Sequence, residues 1–177
     1  FMDFTCEFNR QFGIDPHRTA ELESHIEQFV KQKAPGQVDS PEVQTIKGMI
    51  RRGEARAAGR SCGLPDERLH FMDMPFYETG RVKKKPLGEE DIVMVVNLLR
   101  KIKPHQIYAA GDLSDPHGTH RLCLRVLRES LARSAGESWC RDAELWLYRG
   151  AWADWAPDEI DLAVPLSPQE EIGRAHV

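Results

Sequence analysis

Gln106-Ile-Tyr-Ala-Ala-Gly-Asp-Leu-Ser-Asp-Pro-His-Gly-Thr-His120 is a short apolar run that opens into a turn-forming loop bearing histidines. Gln106–Ala110 reads as a strand. Asp115-Pro116 then reads as an N-cap followed by proline at the first helical position, which predicts a helix over Pro116–Ala132. On such a helix His117 and His120 are three residues apart and share one face. That face begins at the carboxyl end of a strand, where parallel α/β sheets place their sites. A helix amino terminus disfavours imidazolium, so a histidine there stays neutral and can ligate a metal. The same field opposes a protonated catalytic histidine, so the two roles need different surroundings.

Helical and strand signals alternate on either side of this stretch. Phe1, Phe4, Phe8 and Phe12 recur at helical spacing. Asp15-Pro16 starts a helix running to about Lys33, with Leu22, Ile26, Phe29 and Val30 on one face. Ser40-Pro41 starts another, with Val43, Ile46, Met49 and Ile50 in its apolar stripe. That helix continues through Ala55–Ala58 and stops at Gly63-Leu-Pro65; its small residues suit close packing on a sheet. Leu69–Met74 is predicted to be a strand, and the loop after it carries Tyr77 and the basic cluster Arg81, Lys83, Lys84 and Lys85. Gly88-Glu-Glu-Asp91 puts acids in the first turn of a helix whose buried face is Ile92, Val95, Val96, Leu99 and Ile102, ended by Pro104. Glu144–Tyr148 and Ile160–Val164 are further predicted strands. The alternation implies an α/β fold: three layers, with a mostly parallel sheet flanked by helices on both faces. The loops after Met74, Ala110 and Tyr148 are where its site is expected.

The chain has 177 residues, enough for one domain with a real core. Charged residues are 29% and the net charge is -4, with no basic stripe, which argues against nucleic acid as a partner. No apolar run approaches the roughly 20 residues that span a bilayer. Cys6, Cys62, Cys123 and Cys140 form no CxxC pair and read as reduced thiols of a cytoplasmic protein. Both ends read as artificial. The chain opens on Phe1 inside a helical pattern, and Glu171-Ile-Gly-Arg-Ala-His-Val177 matches one reading frame of a common sequencing adapter. Residues 1–170 are therefore taken as the domain and 171–177 as a non-native tail, a division that genomic sequence continuing past Glu171 would overturn.

Spacing alone leaves the histidines open. Asp115 as a simple cap beside two exposed polar side chains explains the pattern as well as a metal site does. A catalytic zinc normally takes three protein ligands, and this loop offers two candidates.

Longer runs add to that reading. Ile107–His120, together with Arg51-Arg-Gly-Glu54-Ala-Arg-Ala-Ala58, Gly63 and a segment ending at Met72-Asp73, resembles the PIG-L/LmbE family of zinc-dependent deacetylases over most of residues 40–130. The stretches Lys103–Leu113 and Trp146–Trp152 look most like the subgroup fused behind a glucosamine-6-phosphate deaminase-like domain. The resemblance implies a Rossmann-like LmbE fold, incomplete at both ends, with Zn2+ as cofactor and an N-acetylglucosamine-type substrate. It implies His120 as a metal ligand and His117 as the group that stabilises the oxyanion or protonates the leaving amine. Arg51 would bind substrate; its plainer reading is a surface ion pair with Glu54.

This sequence departs from the family pattern in two places. The His-Pro-Asp-Asp run that supplies the remaining ligands and the general base does not occur, since Asp15-Pro-His17 has the wrong order and no strand before it. Its expected place is a first strand upstream of Phe1. Thr119 stands where the family usually has aspartate, which leaves the support of His120 open. The expectation is therefore a fragment with weak zinc binding and no turnover. Two other readings stay open: part of a fused protein whose activity is the deaminase's, and a non-catalytic sugar-binding or scaffold domain. Trp139, Trp146, Tyr148, Trp152 and Trp155 suit either sugar stacking or core packing.

Overall fold

The computed structural model describes residues 9, 13–77, 85–149, 154–165, 167 and 168. The phenylalanine run, Cys6, Arg81–Lys84, Trp152 and the 171–177 tail lie outside them. The chain forms two compact units: Phe1–Asp66 with Thr79–Val82, and Glu67–Glu78 with Lys83–Val177.

The first unit is built on α1 (Pro16–Gln32) and α2 (Pro41–Ser61). Both begin as their sequence signals predict. The Asp15 carboxylate accepts the His17 N–H at 2.9 Å, and Ser40 Oγ accepts that of Val43 at 3.4 Å. Each thereby satisfies an amide that the helix leaves orphaned. Between the helices, Asp39 accepts hydrogen bonds from Lys33 at 2.5 Å and Lys47 at 2.7 Å. These ammonium groups, Lys33 foremost, hold its carboxyl below the usual range. At its far end α2 gives way to Gly63 at φ +76°, a left-handed position that suits glycine. The apolar stripes are only partly covered. Val43 is buried, but Val30 is 59% and Met49 67% exposed.

The second unit holds α3 (Glu89–Ile102), β1 (Gln106–Ala110), α4 (Thr119–Ser134), the short α5 (Ser138–Arg141) and β2 (Glu144–Tyr148). The strands pair in parallel, with Gln106 opposite Glu144 and Ala110 opposite Tyr148. Parallel neighbours require a crossover, and α4 provides it. The α/β class and the parallel pairing agree with the sequence reading; the described sheet has two strands.

The core of this unit is the seam between α3 and α4. Ile92, Val96 and Leu99 recur at helical spacing and are buried, as are Leu124 and Val126. Ser130 and Ser134 have no exposed surface, so small side chains let the helices approach closely. Ser130 Oγ donates to the Ile92 carbonyl at 3.3 Å. Arg133 forks onto Glu89, and Arg100 pairs with Glu137 at 2.8 Å, tying the exposed edges. Ile102, expected on the buried face, is 51% exposed in the last turn. Lys103 follows in the left-handed conformation, φ 51°, and ends the helix just before Pro104.

Two predicted strands are absent. Leu69–Met74 is irregular, because Asp73 has φ 46°, which an extended strand cannot contain. The segment is instead pinned at Phe76, whose N–H donates to the Asp91 carboxylate at 3.0 Å. Ile160–Val164 is also irregular, with Val164 70% exposed and no ladder partner among the described residues. Cys62, Cys123 and Cys140 form no disulfide among the described residues, and no described helix is long and apolar enough to cross a membrane.

Asp91 is 1% exposed and also accepts the Gly88 N–H at 2.9 Å, so one carboxylate joins the start of α3 to the Phe76 turn. Asp91→Ala leaves both amides without that acceptor and is expected to cost about 3 kcal/mol. Urea unfolding followed by circular dichroism measures this, and an unchanged midpoint would refute it.

Candidate functional site

The site begins where β1 ends. Gly111 continues the ladder by donating its N–H to the Tyr148 carbonyl at 2.8 Å. There is no space for a side chain at this point: a Cβ would lie 2.8 Å from Leu147 Cβ and 3.2 Å from the Trp155 ring. On the adjoining strand end, the Arg149 guanidinium stacks 3.6 Å from the centre of the Trp155 ring. Its Nε donates to the Gly111 carbonyl at 3.4 Å and its Nη1 to that of Asp154 at 3.3 Å. A cation on an indole face is a favourable contact. Here it fastens the chain leaving β1 to the chain leaving β2.

The loop beyond Gly111 is organised by two buried aspartates. Asp112 and Asp115 are each 2% exposed. Asp112 accepts the Ser114 N–H at 3.2 Å and the Ser114 hydroxyl at 2.6 Å, closing an Asx turn. Asp115 Oδ1 accepts the His117 N–H at 2.9 Å, and Oδ2 accepts the His120 N–H at 3.0 Å. The Asp115 carbonyl accepts the Gly118 N–H at 3.1 Å. The His120 amide foremost, then that of His117 with the two imidazoles, holds the Asp115 carboxyl down at about 2, against the opposing effect of burial.

The predicted helix over Pro116–Ala132 is corrected here. Gly118 has φ +69°, so α4 starts only at Thr119, and Pro116 and His117 lie in a preceding turn. His117 and His120 therefore do not share a helix face. The Asp115 carboxylate brings their backbones together instead. His117 has a 70% exposed side chain, with Nδ1 3.3 Å from Asp115 Oδ1. His120 is half-buried, and its Nδ1 is buried with no hydrogen-bond partner among the described residues.

Arg51 belongs to the first unit, on α2. Its side chain is 82% exposed and donates to Glu54 at 3.0 Å, the plain surface pair that spacing allows. Such pairs contribute little to stability.

An unpartnered buried imidazole nitrogen suits one metal ligand. Among the described residues, however, no three His, Cys, Asp or Glu side chains come together to hold an ion. The zinc site implied by the family resemblance is therefore not completed by the described residues. The sequence reading missed the Arg149–Trp155 clasp. Its signal was present as arginine at a strand's carboxyl end, but the tryptophan it stacks on lies six residues further along.

No protein-family profile matches the chain, and no solved structure matches it. Over 173 residues it is 48% identical to a protein of Bacteroides thetaiotaomicron named as glucosamine-6-phosphate deaminase-like. The match takes in 96% of this chain and 26% of the relative, so the chain spans about a quarter of that protein's length.

Two outcomes test this geometry. Gly111→Ala drives a Cβ into Leu147 and is expected to cost about 1–3 kcal/mol in urea unfolding; wild-type stability would show that the strand ends are not so closely joined. Asp115→Asn keeps the shape but aims an amide at one of the two N–H donors, for an expected loss of about 1–3 kcal/mol. Its pH dependence has a definite sign. A depressed carboxyl adds stability in full above the ordinary value of about 4, and that part is lost as pH falls toward about 2. Acid titrations of the two proteins that run parallel from pH 5 to 2 would contradict this.

Proposed function

We propose that this chain is a segment of a larger amino-sugar-metabolising protein, and that within it the Asp112–His120 loop is the histidine half of a metal-dependent amide hydrolase site. The observation that carries the amino-sugar reading is the 48% identity, along nearly the whole chain, to a relative named as glucosamine-6-phosphate deaminase-like. On this reading the deaminase step, a ring-opening isomerisation with loss of ammonia, belongs to the remainder of the larger protein.

The hydrolase reading is supported by the loop's placement and its separation of roles. The loop follows the carboxyl end of a parallel strand. Half-buried His120 offers an unpartnered nitrogen and would be one ligand of Zn2+, with further donors from outside the described residues. Bound zinc would supply a water of lowered pKa and polarise an acetyl carbonyl. Asp115 keeps the His120 backbone in register through its amide hydrogen bond. Exposed His117, with the Asp115 carboxylate 3.3 Å from its Nδ1, is placed to hold a proton and pass it to a leaving amine. The Asp115 carboxyl, held down at about 2, stays ionised beside it.

The test uses the intact parent protein with two readouts: ammonia release from glucosamine 6-phosphate and acetate release from N-acetylglucosamine derivatives. His117→Ala and His120→Ala are expected to reduce acetate release by about a hundredfold or more and to leave ammonia release unchanged. His120→Ala should also lower the bound zinc measured by elemental analysis. The chain of 177 residues alone should release no acetate. Acetate release by that chain, or a parent whose acetate release ignores both substitutions, would sink the hydrolase reading. A parent that releases neither product would favour the scaffold reading.

A further inference from the structure

A groove of about 550 Å³ runs along one face of α4 and reaches the loop at Leu113. Arg121, Arg125 and Arg128 line it at successive helical turns, spread over about 10 Å of helix. Leu124 also lines it, and Glu129 is the only acid among the described residues that do. Arg125 pairs with Glu129 at 2.8 Å, while Arg121 donates to the Leu113 carbonyl at 2.8 Å. Arg128 makes no ion pair or hydrogen bond with the described residues. Three guanidinium groups against one carboxylate leave a formal charge of +2 facing solvent. A phosphate monoester carries nearly two negative charges at neutral pH and offers three acceptor oxygens. Guanidinium groups match those oxygens with paired donors, and the leucine surface suits the C–H face of a sugar ring.

We propose that this groove is a phosphate-binding site for a phosphorylated amino sugar, with Arg128 and Arg125 as its principal donors and Arg121 joining it to the histidine loop. The sugar part of the assignment rests on the amino-sugar reading above; the phosphate part rests on the groove. Arg121 has a second consequence. Its Nη2 would lie 3.2 Å from a Cβ at Gly118, so its guanidinium also packs over the turn between His117 and Thr119.

Isothermal titration of the purified chain at low salt with glucosamine 6-phosphate, glucosamine and inorganic phosphate tests the proposal. Glucosamine 6-phosphate should bind saturably and more tightly than either of the others, and added salt should weaken it. The double variant Arg125→Gln/Arg128→Gln changes exposed side chains only and should keep the wild-type circular dichroism. It should bind the sugar phosphate about tenfold more weakly, whereas Lys101→Gln on α3 should bind it like wild type. Absence of saturable binding, binding indifferent to the double variant, equal weakening by Lys101→Gln, or inorganic phosphate binding as tightly as the sugar phosphate would each overturn the proposal. Failure of acetate release in the parent, with this binding intact, would count against the hydrolase reading alone.

Discussion

The Asp115 carboxylate is the group on which the candidate site depends. It is buried, yet its oxygens meet the backbone amides of His117 and His120, so the desolvation of the charge is offset by hydrogen bonds to the ionised form. The same contacts explain how a helix can start at Thr119 with glycine in its cap position. Gly118 has no side chain to satisfy the first turn, and an aspartate three residues earlier does it instead. One side chain thus ends a loop, begins a helix and sets two histidines beside each other.

That arrangement needs a rigid frame. The frame is the β1–α4–β2 crossover, with α3 packed against α4. Ser130 and Ser134 bring the helices close, and the Gly111 backbone fits against Leu147 and Trp155 with no space left over. Arg149 then ties the two strand ends together across the Gly111 carbonyl. Close packing of this kind transmits displacement, so a substitution at Gly111 is felt at the loop. The first unit contrasts with this. Its helices carry good caps and an aspartate bridging two lysines, but much of their apolar surface faces solvent.

Legibility followed the range of the interaction that decides each feature. The starts of α1 and α2 were plain at Asp15-Pro16 and Ser40-Pro41, because a cap acts over three residues. The strand Gln106–Ala110 was equally plain, lying between a proline and a glycine. Leu69–Met74 and Ile160–Val164 misled, because apolar composition shows the capacity for a strand and not a partner for it. In the site, proline after Asp115 argued for an immediate helix. Gly118 taking a left-handed conformation overrode it, and nothing local distinguishes that glycine from a helical one.

The sequence by itself determined the α/β class and the parallel logic of strand, crossover and strand, since each is written in residue type and spacing over a few positions. Only the tertiary structure decided that His117 stands outside the helix and exposed while His120 is drawn partly inside with an unpartnered nitrogen. It alone placed Arg149 on Trp155 and brought Leu113 of the loop against the α4 face of Arg121, Arg125 and Arg128, three arginines whose helical spacing the sequence does carry. Burial and pairing of this kind depend on what the fold brings from elsewhere in the chain, and a local pattern carries no record of that.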